Sequence, residues 1–385
     1  GGSAGGSVGY AVRLESKQSR DTRLLFCTTG VLLSKLHSDP TLTSVSHVVV
    51  DEVHERSLDS DFLLIVLREA LAANPALKVV LMSATLDAKL FADYFGRAAT
   101  LAIPGRTFPI ADFSLEDVVE ATGYVARGKV LLRGADADDE LSGLSGLTAE
   151  SPAAGGDDGA VADAEPEPED GRGSYSERTR QAMRRLPAGA VPADLVGMLL
   201  AHLDAQADSG ETVAGRGAAL IFLPGVAEIR RMAAELGRCP GAARWLLLPL
   251  HGELPAAEQR RVFGRAPAGL RKVVLSTNVA ETSLTIDDIT VVIDTGRVKQ
   301  TAYDHLNACA QLVETWTPRS SRKQRRGRAG RVQQGEYYAL YSRAQERRLA
   351  DHAPPEMMRV PLEALYLQVK ALDLAGGDAH AFLRR

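Results

Sequence analysis

Cysteine is scarce in this sequence. Three thiols, Cys27, Cys239 and Cys309, are scattered along 385 residues with no CxxC pair. That spacing excludes a disulfide framework and a cysteine-rich zinc site, and it fits a reducing compartment, cytoplasm or nucleus. No run of ~18 apolar residues occurs, so no membrane-spanning helix is expected. The amino terminus, Gly1 to Ser7, lacks both the charged and the apolar segment of a signal peptide and reads as a flexible loop or a cut end. Basic residues are missing from one long tract: Asp136 to Asp170 holds twelve acidic residues and no basic one. Setting those charges aside turns the net −4 into +8 for the remainder. A basic body suits a polyanionic partner. The wider tract 134–173 is also poor in aromatics and rich in Ala, Gly, Asp, Glu and Pro, so it is expected to be a disordered acidic insert.

The rest has ordinary globular composition, 45% hydrophobic and 24% charged, enough for two or three domains with cores. Val48, Val49 and Val50 read as a buried parallel strand ending in Asp51, Glu52 and His54. Ligands of open α/β sheets bind at that end of a strand. A carboxylate there can hold Mg²⁺, and a second can orient or deprotonate water attacking a phosphate. Upstream, an apolar strand over 22–27 runs into Thr28, Thr29 and Gly30, a turn that opens a helix and suits a phosphate contact, or serves as an ordinary N-cap. Downstream, an amphipathic helix is expected over 60–73 and a strand over 78–82. That strand ends in Ser83, Ala84 and Thr85, and a helix over 87–95 follows. This βαβα pattern predicts a parallel sheet with helices on its faces. Residues 100–132 carry the chain out of that sheet.

A second α/β unit starts near Ala190. Helices are expected over 193–206 and 226–236, and strands over 218–223, 245–250, 272–276 and 289–294. Two sheets in tandem suggest a cleft suited to a nucleotide. A β-hairpin is expected from Arg297 to Thr317. Residues 319–331 then carry seven basic residues among thirteen. They read either as a solvated basic face or, because glycines are interleaved, as a stretch whose backbone and guanidinium groups approach a ligand.

Taken in order, these motifs resemble the DEAH/RHA family of superfamily 2 RNA helicases over nearly the whole chain outside the acidic tract. Asp51, Glu52, Val53 and His54 resemble the family's Walker B motif, and Ser83 to Thr85 its motif III. Ser276 to Asp287 resembles motif V, and Gln324 to Arg331 motif VI. The resemblance implies two tandem RecA-like parallel-sheet domains, over 1–107 (incomplete) and 108–345 (carrying the acidic insert), then the start of a winged-helix region over 346–385. It implies an ATP-dependent RNA helicase that moves 3′ to 5′, with ATP and Mg²⁺ as cofactors, RNA as partner and no membrane. Asp51, with Glu52 beside it, would hold Mg²⁺. Glu52 would orient the attacking water, and His54 would connect the nucleotide site to the second domain. Gln324 would help position the water or γ-phosphate, and Arg328 and Arg331 would act as arginine fingers. Ser283, Thr285 and Asp287 would contact ribose and phosphate, and Phe263 would stack on adenine. Thr28, Thr29, Gly30, Gly225, Thr277 and Asn278 would contact the RNA backbone, with Ser83 and Thr85 coupling the two sites.

One family element is missing. No Gly-x-x-x-x-Gly-Lys-Ser/Thr loop precedes Asp51, and Gly123 to Lys129, which has the glycine and lysine spacing, is followed by Val130 where a hydroxyl is needed. The expectation is a chain that begins partway through its first domain and hydrolyses ATP weakly by itself. Two other readings stand beside this one. A non-catalytic RNA-binding scaffold would not need Glu52, Gln324, Arg328 and Arg331 together. A metal hydrolase built on Asp51, Glu52, His54 and Glu55 needs further ligands.

Overall fold

The computed structural model describes residues 6–84, 88–103, 105, 108–126, 175–187, 189, 191–211, 217–282, 284–304, 307, 309–371 and 373–384. The expected acidic insert, 134–173, lies outside the described residues, as do Thr85 and Ser283. The chain divides into two compact units. One comprises Gly1–Pro104, Thr301–Val313 and Ala353–Arg385; the other comprises Gly105–Gln300 and Glu314–His352.

In the first unit, β1 (Val8–Val12) pairs antiparallel with β2 (Glu15–Lys17) and parallel with β3 (Leu24–Cys27). Separately, β4 (His47–Val50) pairs in parallel with β5 (Lys78–Leu81). The single parallel sheet expected here is thus two small sheets among the described residues, one of them mixed. Burial of β4 also departs from expectation. Val48 and Val50 are buried, but Val49 is 54% exposed. Pleating sends alternate residues to opposite faces, and one face is covered: Val48 and Val50 share an apolar cluster with Phe62, Leu63 and Leu67.

The helix Leu58–Ala73 starts at Ser57, whose side chain accepts the Ser60 N–H. It was expected to be amphipathic, yet every residue from Ser60 to Leu67 is buried. The reason is that it is packed on several sides. Leu33 and Leu36 from the helix Thr29–Ser38, and Leu365, Val369 and Phe382 from the chain's last helices, belong to the same cluster. Phe62 meets Phe382 edge-on at 5.5 Å.

The second unit holds six strands, β6 (Ile110–Phe113), β7 (Ala218–Phe222), β8 (Trp245–Leu250), β9 (Arg271–Ser276), β10 (Ile289–Asp294) and, after a two-stranded ribbon of β11 (Arg297–Asp304) and β12 (Cys309–Trp316), β13 (Gly335–Ala339). Their order is β6-β13-β10-β7-β9-β8, and every neighbouring pair is parallel. All positions of β7 and β10 are buried, as apolar central strands of a sheet covered on both faces should be. Alternate residues serve opposite faces: Ile221 joins the cluster containing Val196 and Leu199, while Leu220 and Phe222 join Val274 and Val292. β8 carries Pro249, which an edge strand tolerates. β6, at the other edge, was not expected from sequence. Because all six strands run the same way, Pro224 and Gly225, Thr277 and Asn278, and Gly296 follow strand ends on one edge of this sheet.

A buried ion pair braces the sheet's back. Asp204, on the helix Ala193–Ser209, accepts from Arg271 Nε at 2.6 Å and from Trp245 Nε1 at 2.8 Å. Asp204→Ala leaves a buried guanidinium without its charge partner and should cost about 3 kcal/mol of stability. Denaturant unfolding checks this through a lower midpoint at unchanged slope, and a loss below about 1 kcal/mol would contradict the assignment.

Candidate functional site

The first group of residues follows β4. Asp51 Oδ1 accepts the Glu52 N–H at 2.9 Å. Glu52 itself sits in the left-handed region, φ 55° and ψ 36°, a conformation a non-glycine residue rarely adopts unless the surroundings hold it. Two bonds do the holding. Met82 N–H donates to Val50 O at 2.8 Å, and Val53 N–H donates to Met82 O at 3.1 Å. The loops after β4 and β5 are thereby laced together. His54 adds a side-chain link: its Nδ1 lies 3.3 Å from the Ala84 amide nitrogen and 3.4 Å from Glu52 Oε2. Accepting the amide needs the Nδ1 lone pair, so that contact belongs to the neutral ring with its proton on Nε2. A proton on Nδ1 would exchange the amide for the carboxylate. Thr85, expected to act with Ser83, lies outside the described residues, but the neighbouring Ala84 is where the two loops are joined. Among the described residues no three His, Cys, Asp or Glu side chains are grouped to hold a metal by themselves. One carboxylate is a sufficient protein contribution for Mg²⁺ when phosphates complete its shell, and Asp51 fits that donor chemistry.

Thr28 is the N-cap of the helix Thr29–Ser38 and makes no side-chain capping bond. Thr28 and Gly30 are exposed.

The second unit places motifs V and VI against each other. Thr277 precedes the short 3₁₀ turn Asn278–Ala280, and Glu281 follows it. The basic stretch begins as the helix Arg319–Arg326. Arg325, for which the motifs implied no role, is 1% exposed. Its Nε donates to Glu281 Oε2 at 3.0 Å, and its NH1 donates to Asp294 Oδ1 at 2.7 Å and to Arg297 O at 3.4 Å. Its guanidinium carbon lies 4.9 Å from the Phe222 ring centre. Burial by itself would lower the Arg325 pKa, but the carboxylates of Asp294 and Glu281 outweigh it and hold the group above ordinary arginine. Tyr337 donates to Asp294 Oδ2 at 2.7 Å. Burial first, then the Asp294 charge, pushes that phenol well above its usual pKa and keeps it a neutral donor.

The expected fingers are positioned by the same loops. Arg328, 8% exposed, donates from NH1 to Leu284 O at 2.8 Å and from NH2 to Glu281 O. Arg331 is exposed and donates to the Thr285 hydroxyl. Asp287 is exposed, and Gln324 is half-buried on the helix. Phe263, 48% exposed, ends the 3₁₀ turn Arg260–Phe263. Gly225 is buried at the start of the helix Val226–Leu236. A Cβ there would come 2.7 Å from Glu228 Oε2 and 3.1 Å from Lys299 Nζ, two groups already paired at 2.9 Å.

Two expectations for the basic stretch change. It is not a solvated face: Arg322 pairs with Glu346 at 2.8 Å, and Arg326 grips Asp112 of β6 with both Nε and NH2 at 2.7 Å. Nor does Gly330 open space for a ligand. A Cβ there would meet Ile110 Cγ1 at 2.7 Å and Phe108 O at 2.8 Å, so the glycine admits β6. The glycine-and-lysine segment near Gly123 is also accounted for in part: Gly123, φ 61°, caps the helix Leu115–Thr122.

Comparison with known proteins bears on this arrangement. Residues 200–333 match the helicase conserved C-terminal domain. The chain is 42% identical over 388 residues to the DExH-box ATP-dependent RNA helicase DExH1 of Arabidopsis thaliana. It is 40% identical over 386 residues to the ATP-dependent RNA helicase DHX29 of Homo sapiens. This chain is homologous to the DExH/DEAH-box RNA helicases. The alignments take in 100% and 98% of the chain but 37% and 28% of those relatives, so it spans about a third of their length. Among solved structures, the Escherichia coli DEAH/RHA helicase HrpB matches with a TM-score of 0.68 and 28% identity, over 98% of this chain and 38% of that one. The fold of this helicase homologue is accordingly the tandem RecA-like α/β type.

Within this helicase-type unit, Arg325→Met should cost about 3–5 kcal/mol, because Glu281 and Asp294 are left buried without their cation. Arg326→Met removes a half-exposed pair and should cost below about 1 kcal/mol. Thermal unfolding of the two variants side by side checks the ranking, and equal losses would contradict it.

Proposed function

We propose that the protein carrying this chain is an ATP-dependent RNA helicase, coupling ATP hydrolysis to 3′-to-5′ movement along RNA. What carries the reading is the retention of Glu52, Gln324, Arg328 and Arg331 together, in a chain 40% identical to an RNA helicase along almost all its length. Asp51 holds Mg²⁺, which when bound neutralises phosphate charge. Glu52, fixed in its left-handed turn, accepts a proton from the attacking water. Arg328 and Arg331 offset charge developing on the transferred phosphoryl group, and Gln324 orients the water beside it. Thr285, Asp287 and Ser283 contact ribose and phosphate, and Phe263 stacks on the base. Thr28, Thr29, Gly30, Gly225, Thr277 and Asn278 contact RNA phosphate and sugar, which predicts binding with little sequence preference. Through the His54–Ala84 contact, a change at Glu52 reaches the Ser83–Thr85 segment.

The test is RNA-stimulated ATP hydrolysis and duplex unwinding by the intact protein and its Glu52→Gln variant. Loss of at least about 100-fold in hydrolysis with RNA binding retained is expected. Equal unwinding by both would refute the role of Glu52, and RNA binding with no ATP turnover by the wild type would favour a scaffold. The 385 residues alone, which carry no Gly-x-x-x-x-Gly-Lys-Ser/Thr loop ahead of Asp51, should turn over ATP far more slowly than the intact protein.

A further inference from the structure

Lys272 is a charged residue in the interior of the second sheet, and nothing in the reaction as proposed uses it. It lies on β9, and its side chain is 1% exposed. An ammonium has three N–H donors, and burying one without partners is strongly unfavourable. Here all three have an acceptor: Val262 O at 2.7 Å, Gly264 O at 2.9 Å and Asp288 Oδ1 at 2.7 Å. The choice of acceptors is informative. Val262 and Gly264 are the residues on either side of Phe263. Asp288 directly follows Asp287, and its own carbonyl accepts the Ala218 N–H at 2.9 Å, which fixes its backbone against β7.

We propose that Lys272 is a positioning residue that sets where the Phe263 ring stands relative to the Thr285–Asp287 loop, and through that distance determines how tightly the base of a nucleoside triphosphate is held. The inference rests on the reading of Phe263 as the base platform and of Asp287 as a sugar contact. A 3₁₀ turn as short as Arg260–Phe263 has few internal bonds to resist displacement. The Gly264 N–H to Arg261 O bond at 3.2 Å closes the turn on itself without tying it to the sheet. Buried Val262 gives apolar contact, which does not select one orientation as directional charge-assisted bonds do. Clamping the carbonyls on both sides of Phe263 to one ammonium fixes the backbone from which its half-exposed ring projects. The same ammonium anchors the loop that carries Asp287, so platform and sugar contact move together or not at all. Stacking is sensitive to ring offset, so a turn that wanders loses base affinity while the phosphate chemistry stays intact.

The experiment is steady-state ATP hydrolysis by the intact protein with saturating RNA, using wild type, Phe263→Ala, Asp288→Ala, Lys272→Met and the Phe263→Ala/Lys272→Met double variant. Each is assayed with ATP and with ribose 5-triphosphate, which has no base. Lys272→Met and Asp288→Ala should each raise KM for ATP about fivefold with kcat within about twofold. The double variant should match Phe263→Ala alone within about twofold, because both substitutions remove the same stacking. KM for ribose 5-triphosphate should be the same in wild type and Phe263→Ala, and should rise in Lys272→Met and Asp288→Ala by less than KM for ATP, because that probe meets the Asp287 loop and not the ring. If Lys272→Met fails to fold, Asp288→Ala, which keeps both carbonyl bonds, carries the test. Unchanged KM for ATP in Asp288→Ala and Lys272→Met, beside a raised KM in Phe263→Ala, overturns the proposal and leaves the base platform standing. So does a double variant whose effect is the product of the two single effects. Unchanged KM in Phe263→Ala overturns the platform reading itself.

Discussion

Arg325 is the constraint on which the second unit depends. One buried guanidinium binds Glu281 in the middle of motif V, Asp294 at the end of the central strand β10, and the carbonyl of Arg297 where the β11–β12 ribbon begins. It also lies against Phe222 at the end of β7, two residues before Pro224 and Gly225. Three connections that leave the same edge of the sheet, those after β7, β9 and β10, thus share one cation. Its charge is balanced by two carboxylates, and Asp294 is further satisfied by Tyr337 and by the Gly296 N–H at 2.8 Å. In a buried ion cluster of this kind, losing the cation leaves carboxylates stranded away from water.

Preorganisation of the neighbouring groups follows. With Glu281 held, its carbonyl and that of Leu284 are fixed acceptors for Arg328, and the Arg328 side chain is aimed before any ligand arrives. With Arg297 held, its guanidinium stacks 3.6 Å over Trp316 at the other root of the ribbon. The basic stretch is therefore mostly a structural spine. Arg319, Lys323 and Arg331 are its exposed members. In the first unit the corresponding economy is made by backbone: Val50, Met82 and Val53 lace two loops, and His54 joins them again through Ala84.

Much of the second sheet was legible from the amino acids. Runs such as Ala218–Phe222 and Ile289–Asp294 are apolar at nearly every position because both faces are covered, whereas a strand with one wet face alternates. The order of the short motifs was likewise readable, since three of the four follow a strand end, those of β4, β5 and β9. β6 was not, because a short edge strand containing Asp112 owes its position to Arg326 and to the space at Gly330, both more than two hundred residues away. Alternation at Val49 was hidden for the opposite reason: three valines look the same whether one face is covered or two. Arg325 and Lys272 were visible as charges, but in a basic or strand-flanking context a charge reads as exposed. Their acceptors are carbonyls and carboxylates, most of them distant in sequence, and single-residue patterns carry no record of such pairs.

The central claim is that the loops of the second unit are held by Arg325 without help from a ligand. Native-state hydrogen exchange of the nucleotide-free chain tests it most directly, read at the amides of Glu281 and Gly296. The account predicts that both exchange only with unfolding of the whole second unit, at a rate that nucleotide leaves nearly unchanged. Fast local exchange that slows when nucleotide is added would contradict it, because the loops would then be ordered by the ligand and not by the arginine.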